Sequence, residues 1–331
     1  MATLGVASVL LCLVGTLWAV PSEIDEQLMA GRRVFSSIGP GLRAVRHGSD
    51  GRFYVLASPG TSVAVFEAKG TPLKKVPDYS QNAGPASPEL RAIQFGEDMD
   101  VASNGTIYVA DRGADQVKVW EQNGNAHAFR VTGLVSLAAL PDGEVAVTTL
   151  QQSHLVTVYG SNGKVVREFG DPESFSSRPD LDRYANLGRV VSDPQGHVYY
   201  GFTYRPEPLV RQYDRFGYAG SFFEFVGVDA FPEAQAMRKE IEHQETRNAP
   251  PLLRPILTAF GVDPVGGDIW MGLHNTLVHF DKDGNRRSEY QVYTPSGARL
   301  EASVILVEEE TLLIGSDPLG VYEFERPDRK H

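Results

Sequence analysis

The chain has 331 residues, with 42 acidic side chains against 31 basic ones and a formal net charge of −11. That field, with no long block of Lys or Arg, repels nucleic acid and anionic headgroups, so neither is an expected partner. Scattered Gly and Pro with 10% aromatic residues describe a folded, turn-rich chain that is long enough for one large all-β domain or two ordinary ones.

Residues 2–20, ATLGVASVLLCLVGTLWAV, are uncharged and apolar over the length of an export signal, followed by Pro21 and the acidic SEIDEQ. Removal of 1–20 as a signal peptide is expected, which places the protein in the periplasm or outside the cell. An uncleaved segment would instead tether it to a membrane, the only membrane attachment expected. The single cysteine, Cys12, lies inside this run, so a chain cut near residue 20 has no disulfide, no thiolate nucleophile and no Cys-ligated zinc.

Beyond residue 40 one unit recurs. Asp50-Gly51, Asn104-Gly105, Asp142-Gly143, Gln195-Gly196 and Gly266-Gly267 each separate two short runs of β-formers, such as RFYVLAS, TIYVADR and HVYYGFT after the turn. A second set of glycines, Gly70, Gly124, Gly163, Gly217 and Gly284, follows at nearly constant distance, with strands such as QVKVWEQ and TLVHFDK before each. The spacing predicts four antiparallel strands per unit: a strand, a Gly turn, a second strand, a loop, a third strand, a Gly turn and a fourth strand. Units begin near Leu42, Asp98, Val135, Arg189 and Phe260, and a sixth, SVILVEEETLLIGSDPLGVYEFE, holds three strands before the chain ends.

Four-stranded units arranged radially are propeller blades. The missing strand is supplied from the other end: GRRVFSSIG at 31–39 resembles the outer strands of earlier units and closes the last blade, which avoids two open sheet edges. The expectation is an all-β, six-bladed propeller over 31–326, a single domain and a monomer. Long interruptions fall between units at 77–94, 171–186 and 227–256. In the last, FPEAQAMRKEIEHQETRN places Ala234, Met237 and Ile241 on one helical face, predicting a helix near 229–247 that caps one face as a lid or plugs the ring.

Because strands alternate direction, both Gly turns of a blade lie on one face of the ring, and the loop between second and third strands lies on the other with the three insertions. The loop-rich face is the expected working face. DMDVASNGTIYVADRGADQVKVWEQNGN resembles the NHL-repeat consensus, and FGVDPVGGDIWMGLHNTLVHFDKDGN is similar but has Leu273-His274 where that consensus has Asp. The resemblance implies a six-bladed architecture over about 31–326 without selecting one function.

Some proteins of similar fold are lactonases that hold a divalent cation at the channel mouth, and others are amidating lyases that hold zinc through histidines. Aligning the turns puts Ala44, Asp98, Ser136, Arg189 and Phe260 at equivalent inner positions, with Arg43 and Glu97 beside two of them, so only one blade offers acids. The arginines would favour an anion held by bidentate hydrogen bonds, unless Glu97 and Asp98 neutralise Arg43 and Arg189 in a structural network. The histidines show neither His-x-His nor HExxH spacing, and His274, which sits on the working face, is the one worth testing. No Gly-x-Ser-x-Gly nucleophile motif or phosphate-cradling loop occurs.

The reading is a scaffold that binds a protein or a small anionic ligand through the loop-rich face, without a cofactor. Arg43, Arg112, Arg189 and Arg205 are assigned to anion contact, and Tyr204 and His274 to shape and polar contacts. The alternative is a metal-dependent hydrolase or a lyase centred on Glu97 and Asp98, the only case in which a divalent metal is expected.

Overall fold

The computed structural model describes residues 26–78, 92–150, 153–226, 232–247 and 252–329. The N-terminal apolar run and Cys12, and most of the first insertion, lie outside these residues. The chain enters through β1 (Glu26–Met29) and β2 (Arg32–Val34) and then lays down four strands per blade. Blade 1 holds β3 (Leu42–His47), β4 (Phe53–Ala57), β5 (Val63–Phe66) and β6 (Pro72–Val76). Blade 2 holds β7 (Gly96–Val101), β8 (Ile107–Asp111), β9 (Gln116–Trp120) and β10 (Ala126–Arg130). Blade 3 holds β11 (Leu134–Ala139), β12 (Val145–Thr149), β13 (Val156–Tyr159) and β14 (Val165–Phe169).

Helix α1 (Pro179–Ala185) precedes blade 4, made of β15 (Gly188–Ser192), β16 (Val198–Phe202), β17 (Leu209–Tyr213) and β18 (Ala219–Glu224). Helix α2 (Pro232–Thr246) then precedes blade 5, made of β19 (Ala259–Val262), β20 (Ile269–Leu273), β21 (Thr276–Phe280) and β22 (Arg286–Tyr293). Blade 6 takes β23 (Val304–Val307), β24 (Thr311–Ser316) and β25 (Gly320–Glu325) from the C-terminal end. Its fourth strand is β2, antiparallel to β25 with Val34 opposite Val321, as the sequence predicts. Inner strands touch in the cyclic order β3, β7, β11, β15, β19, β23 and back to β3, so the ring is closed.

The turn glycines adopt positive φ in both sets, and the turn Asp or Asn accepts the amide two residues on, as Asp281 does from Asp283 and Asn162 from Lys164. At Gly163 and Gly217 close approach adds to the conformational demand: a Cβ would meet Phe129 at 2.4 Å and Phe169 at 2.6 Å, aromatic side chains of the preceding blade's outer strand.

Each of six apolar clusters spans one junction between neighbouring blades, so every blade is buried on both faces. This is why middle strands such as β8 and β20 are buried at every position and lose the apolar–polar alternation of a half-solvated sheet.

Two features go beyond the sequence reading. β1 adds a fifth, parallel strand to blade 5, Glu26–Met29 lying against Tyr290–Tyr293, before the chain steps across to blade 6. The C-terminal segment returns the tie: the fully buried Arg326 donates to Asp263 of blade 5 at 2.8 Å. Helix α2 forms where expected, burying Ala234 and Met237. It docks beside Phe225 and Leu257 in the junction of blades 4 and 5, which it buttresses, and among the described residues none of the helix lines the cleft. Arg178 clamps it to the second insertion by donating to the carbonyls of Gln244 and Arg247 at its C-terminal end. Among the described residues no helix is long and apolar enough to cross a membrane.

Candidate functional site

The channel has a mouth on each face and a waist between them of about 30 Å³, lined by Arg43, Arg46, Asp98 and Arg189 with apolar residues of the inner strands. On the loop-rich face the mouth opens into a cleft of about 500 Å³, within the range of small-ligand sites. Glu97, Arg112, Arg189, Tyr204 and His274 all line this cleft, joined by Tyr184, Glu301 and Asp317.

Short side-chain bridges between inner strands build the floor. Buried Asp98 accepts from Ser136 Oγ at 2.5 Å and from the Met99 amide at 2.8 Å, and Ser136 Oγ in turn accepts the Val190 amide at 3.1 Å. Asp100 accepts the Ala139 amide at 2.8 Å and Arg46 Nε at 3.1 Å, while Arg46 Nη2 reaches Asp98 at 3.5 Å. Burial pushes the Asp100 carboxyl above its ordinary range, with the Arg46 charge opposing. Inner strands of neighbouring blades belong to separate sheets, and these contacts satisfy polar groups that no sheet ladder reaches.

Above this floor, Arg43 stacks 4.0 Å over the Phe95 ring and donates to Glu97 at 3.2 Å, and its buried Nε has no acceptor. Arg112 approaches the same Glu97 carboxylate at 3.7 Å. Arg189 donates only to the Arg43 carbonyl, at 3.4 Å, and pairs with no carboxylate among the described residues. Glu97 therefore pairs with Arg43 and Arg112, Asp98 with Arg46, and neither neutralises Arg189. The network anticipated between these acids and Arg189 is corrected accordingly.

Tyr204 lies within electrostatic reach of this group: burial raises its phenol above the ordinary value, and the Arg189 charge pulls it back. His274 occupies the two-residue turn between β20 and β21 with φ 54°, and its Nδ1 lies 3.0 Å from Glu301. A histidine in left-handed backbone is uncommon and costs on the order of 1 kcal/mol.

One expectation changes. Arg205 does not join the cleft. It faces a separate groove between blades 3 and 4, where it donates to Glu173 at 3.0 Å and lies over the Phe175 and Phe202 rings. Tyr204 lines the cleft and Arg205 the groove, so these adjacent residues serve different surfaces. In the Asp111-Arg112-Gly113 loop the aspartate is structural. Fully buried, it pairs with Lys118 at 3.0 Å and accepts the amides of Gln94 and Phe95, which fastens the segment entering blade 2. Only Arg112 of that loop faces the cleft.

Three cleft residues escaped sequence reasoning. Tyr184 comes from α1 inside the second insertion, Glu301 from the segment before blade 6, and Asp317 from its β24–β25 loop. The insertion's place on the loop-rich face was the one signal for Tyr184; the two acids had none.

For a metal, the anticipated acids offer little. Asp98 is occupied by Ser136, Arg46 and backbone amides, and Glu97 by two guanidinium groups. Among the described residues the group with ligand-like geometry is Asp268, His279 and Asp328, away from the cleft, and there Arg326 already pairs with Asp328 at 2.6 Å.

The fold is similar to several solved structures. Virginiamycin B lyase from Staphylococcus aureus aligns at 12% identity and a TM-score of 0.53 over 86% of this chain and 80% of that one. A streptogramin B lyase aligns at 12% identity and 0.54 over 89% and 86%. The WD40 repeats of RRP9 align at 11% identity and 0.54 over 90% and 99%. At such identities the likeness establishes the propeller architecture alone. No family model matches the sequence, and no curated protein does.

Proposed function

We propose that this protein is an exported, NHL-like propeller that binds an anionic group, carried by a small molecule or by a partner protein, in the cleft at its loop-rich mouth. The observation that carries the reading is the charge arrangement there. Two guanidinium groups, Arg43 and Arg112, share the Glu97 carboxylate, and a third, Arg189, is left with a backbone carbonyl alone among the described residues. A half-buried guanidinium without a counter-charge is costly to keep, and a bidentate carboxylate or phosphate would supply the missing partner. Arg112 and Arg189 make the contact, Tyr204 and His274 shape the wall, and Arg43 holds Glu97 in place. Export is supported by the apolar residues 2–20, and binding of this kind requires no cofactor.

The test is the double variant Arg112→Met with Arg189→Met, compared with the parent protein by thermal shift against a panel of dicarboxylates, phosphate and acidic amino acids. The parent should be stabilised by some members at millimolar concentration, and the variant, folded and of similar melting temperature, should lose that response. Equal stabilisation of both proteins would remove the arginines from the site.

One observation favours a second reading, in which the cleft is catalytic. His274 beside Glu301 is an imidazole oriented by a carboxylate, an arrangement suited to proton transfer. The fold similarity to lyases is compatible with it. Under this reading, as under the metal-dependent one, elemental analysis of the purified protein and thermal shift with calcium, magnesium and zinc would reveal a stoichiometric ion.

A further inference from the structure

The cleft is polarised, and its second pole says more about the ligand than the first. The arginines come from the blade 2 and blade 4 side. Facing them across the mouth, blade 6 contributes Glu301 and Asp317, with His274 of blade 5 as the only basic group lining that side among the described residues. Glu301 is exposed over 59% of its side chain and meets His274 with one oxygen, and Asp317 accepts the Gly41 amide at 2.7 Å. Both carboxylates keep acceptor capacity turned to the mouth, since an ionised carboxylate offers about four lone-pair sites. A purely anionic ligand seated between the walls would satisfy Arg189 and be repelled by Glu301 and Asp317.

We infer that the ligand of this cleft is amphoteric: an anionic group set against Arg112 and Arg189 and an ammonium group set against Glu301 and Asp317, as in a short peptide with both termini free. The inference rests on the anion-binding reading above and adds the second charge. The volume of about 500 Å³ exceeds what a single small amino acid fills and suits a dipeptide or tripeptide. Tyr184 and Tyr204 line the same cleft on the blade 4 side and supply apolar surface beside the arginine pole, with little rotamer entropy to lose. Opposed charges on the two walls also fix the ligand's direction, because a reversed ligand would set like charges together at both ends.

The experiment is isothermal titration of the full chain with a library of di- and tripeptides in three forms: free termini, N-acetylated and C-amidated. The inference expects that the best free peptide loses at least tenfold in affinity on either modification. It also expects that Glu301→Gln with Asp317→Asn brings the free peptide down to its N-acetylated form while leaving the N-acetylated form unchanged. N-acetylated peptides that bind as well as free ones would overturn the ammonium pole and leave the anion reading standing. Peptide binding that survives Arg112→Met with Arg189→Met would overturn both. If no member binds at millimolar concentration, the amphoteric ligand is overturned, and the anion panel decides the broader reading separately.

Discussion

The two mouths of the channel are built from the same kinds of residue and differ in how those residues are paired. On the tight-turn face the mouth is a funnel of about 330 Å³ rimmed by Pro141, Pro194 and Pro264. Its charged groups are committed to one another: Arg46 to Asp98 and Asp100, and His47 to Glu308 at 2.8 Å. The loop-rich mouth has Arg189 without a carboxylate and two acids with spare acceptors. Size alone separates the two poorly; the state of pairing separates them well, because a polar group satisfied inside the protein has little left to offer a ligand.

The largest expected effect tests the closed mouth. Arg46→Met leaves Asp98 and Asp100 buried without their cation, which should cost about 3 kcal/mol or more, and a lowered urea midpoint with unchanged slope would report it. Arg189→Met, on blade 4 across the channel from blade 1, removes no counter-charge and should cost less than about 0.5 kcal/mol. Equal losses at the two positions would erase the contrast between a structural and a free guanidinium.

A smaller effect sharpens it. The Glu308 hydrogen bond holds the His47 imidazole above its ordinary value, with burial opposing and Asp50 adding a weaker attraction. A raised folded-state value means that the folded protein binds this proton more tightly than the unfolded chain does. The stabilisation is therefore complete below the ordinary value of 6.5 and is lost as pH rises through the higher folded-state value. Melting temperature should fall across that window in the parent and fall less in Glu308→Gln. An NMR titration that places His47 at or below its ordinary value would break the pairing assigned to this mouth.

The architecture was legible because turns at positive φ demand Gly, Asn or Asp, and their spacing repeats whatever packs between them. The equivalence of Asp98, Ser136 and Arg189 followed from that register, and the structure places all three around the channel floor. Strand β1 was not legible: its burial pattern leaves Leu28 alone buried, which is too little for a periodic signal, and its pairing is set by the outer edge of blade 5. Helix α2 was legible but its packing partner was not, since helical periodicity tells which face is buried and not against what. Arg205 went astray because its side chain is turned to the groove by Glu173 and the rings of Phe175 and Phe202, contacts that depend on tertiary position. Glu301 and Asp317 reach the cleft through tertiary position alone.

The smallest effect on stability is expected at His274, and it bears directly on what the open mouth is for. The left-handed backbone there carries a modest cost for most side chains, and Asn is among those that tolerate it best. The hydrogen bond to Glu301 is partly exposed and worth roughly 0.5 kcal/mol. His274→Asn exchanges one small term for the other, so urea unfolding should place it within about 0.5 kcal/mol of the parent. Ligand response should change far more, by fivefold or beyond, if the strained imidazole is kept for recognition or proton transfer. A variant that loses more than about 1 kcal/mol while responding to ligand as the parent does would make His274 a device of the turn. The open mouth would then rest on Arg112, Arg189, Glu301 and Asp317 alone.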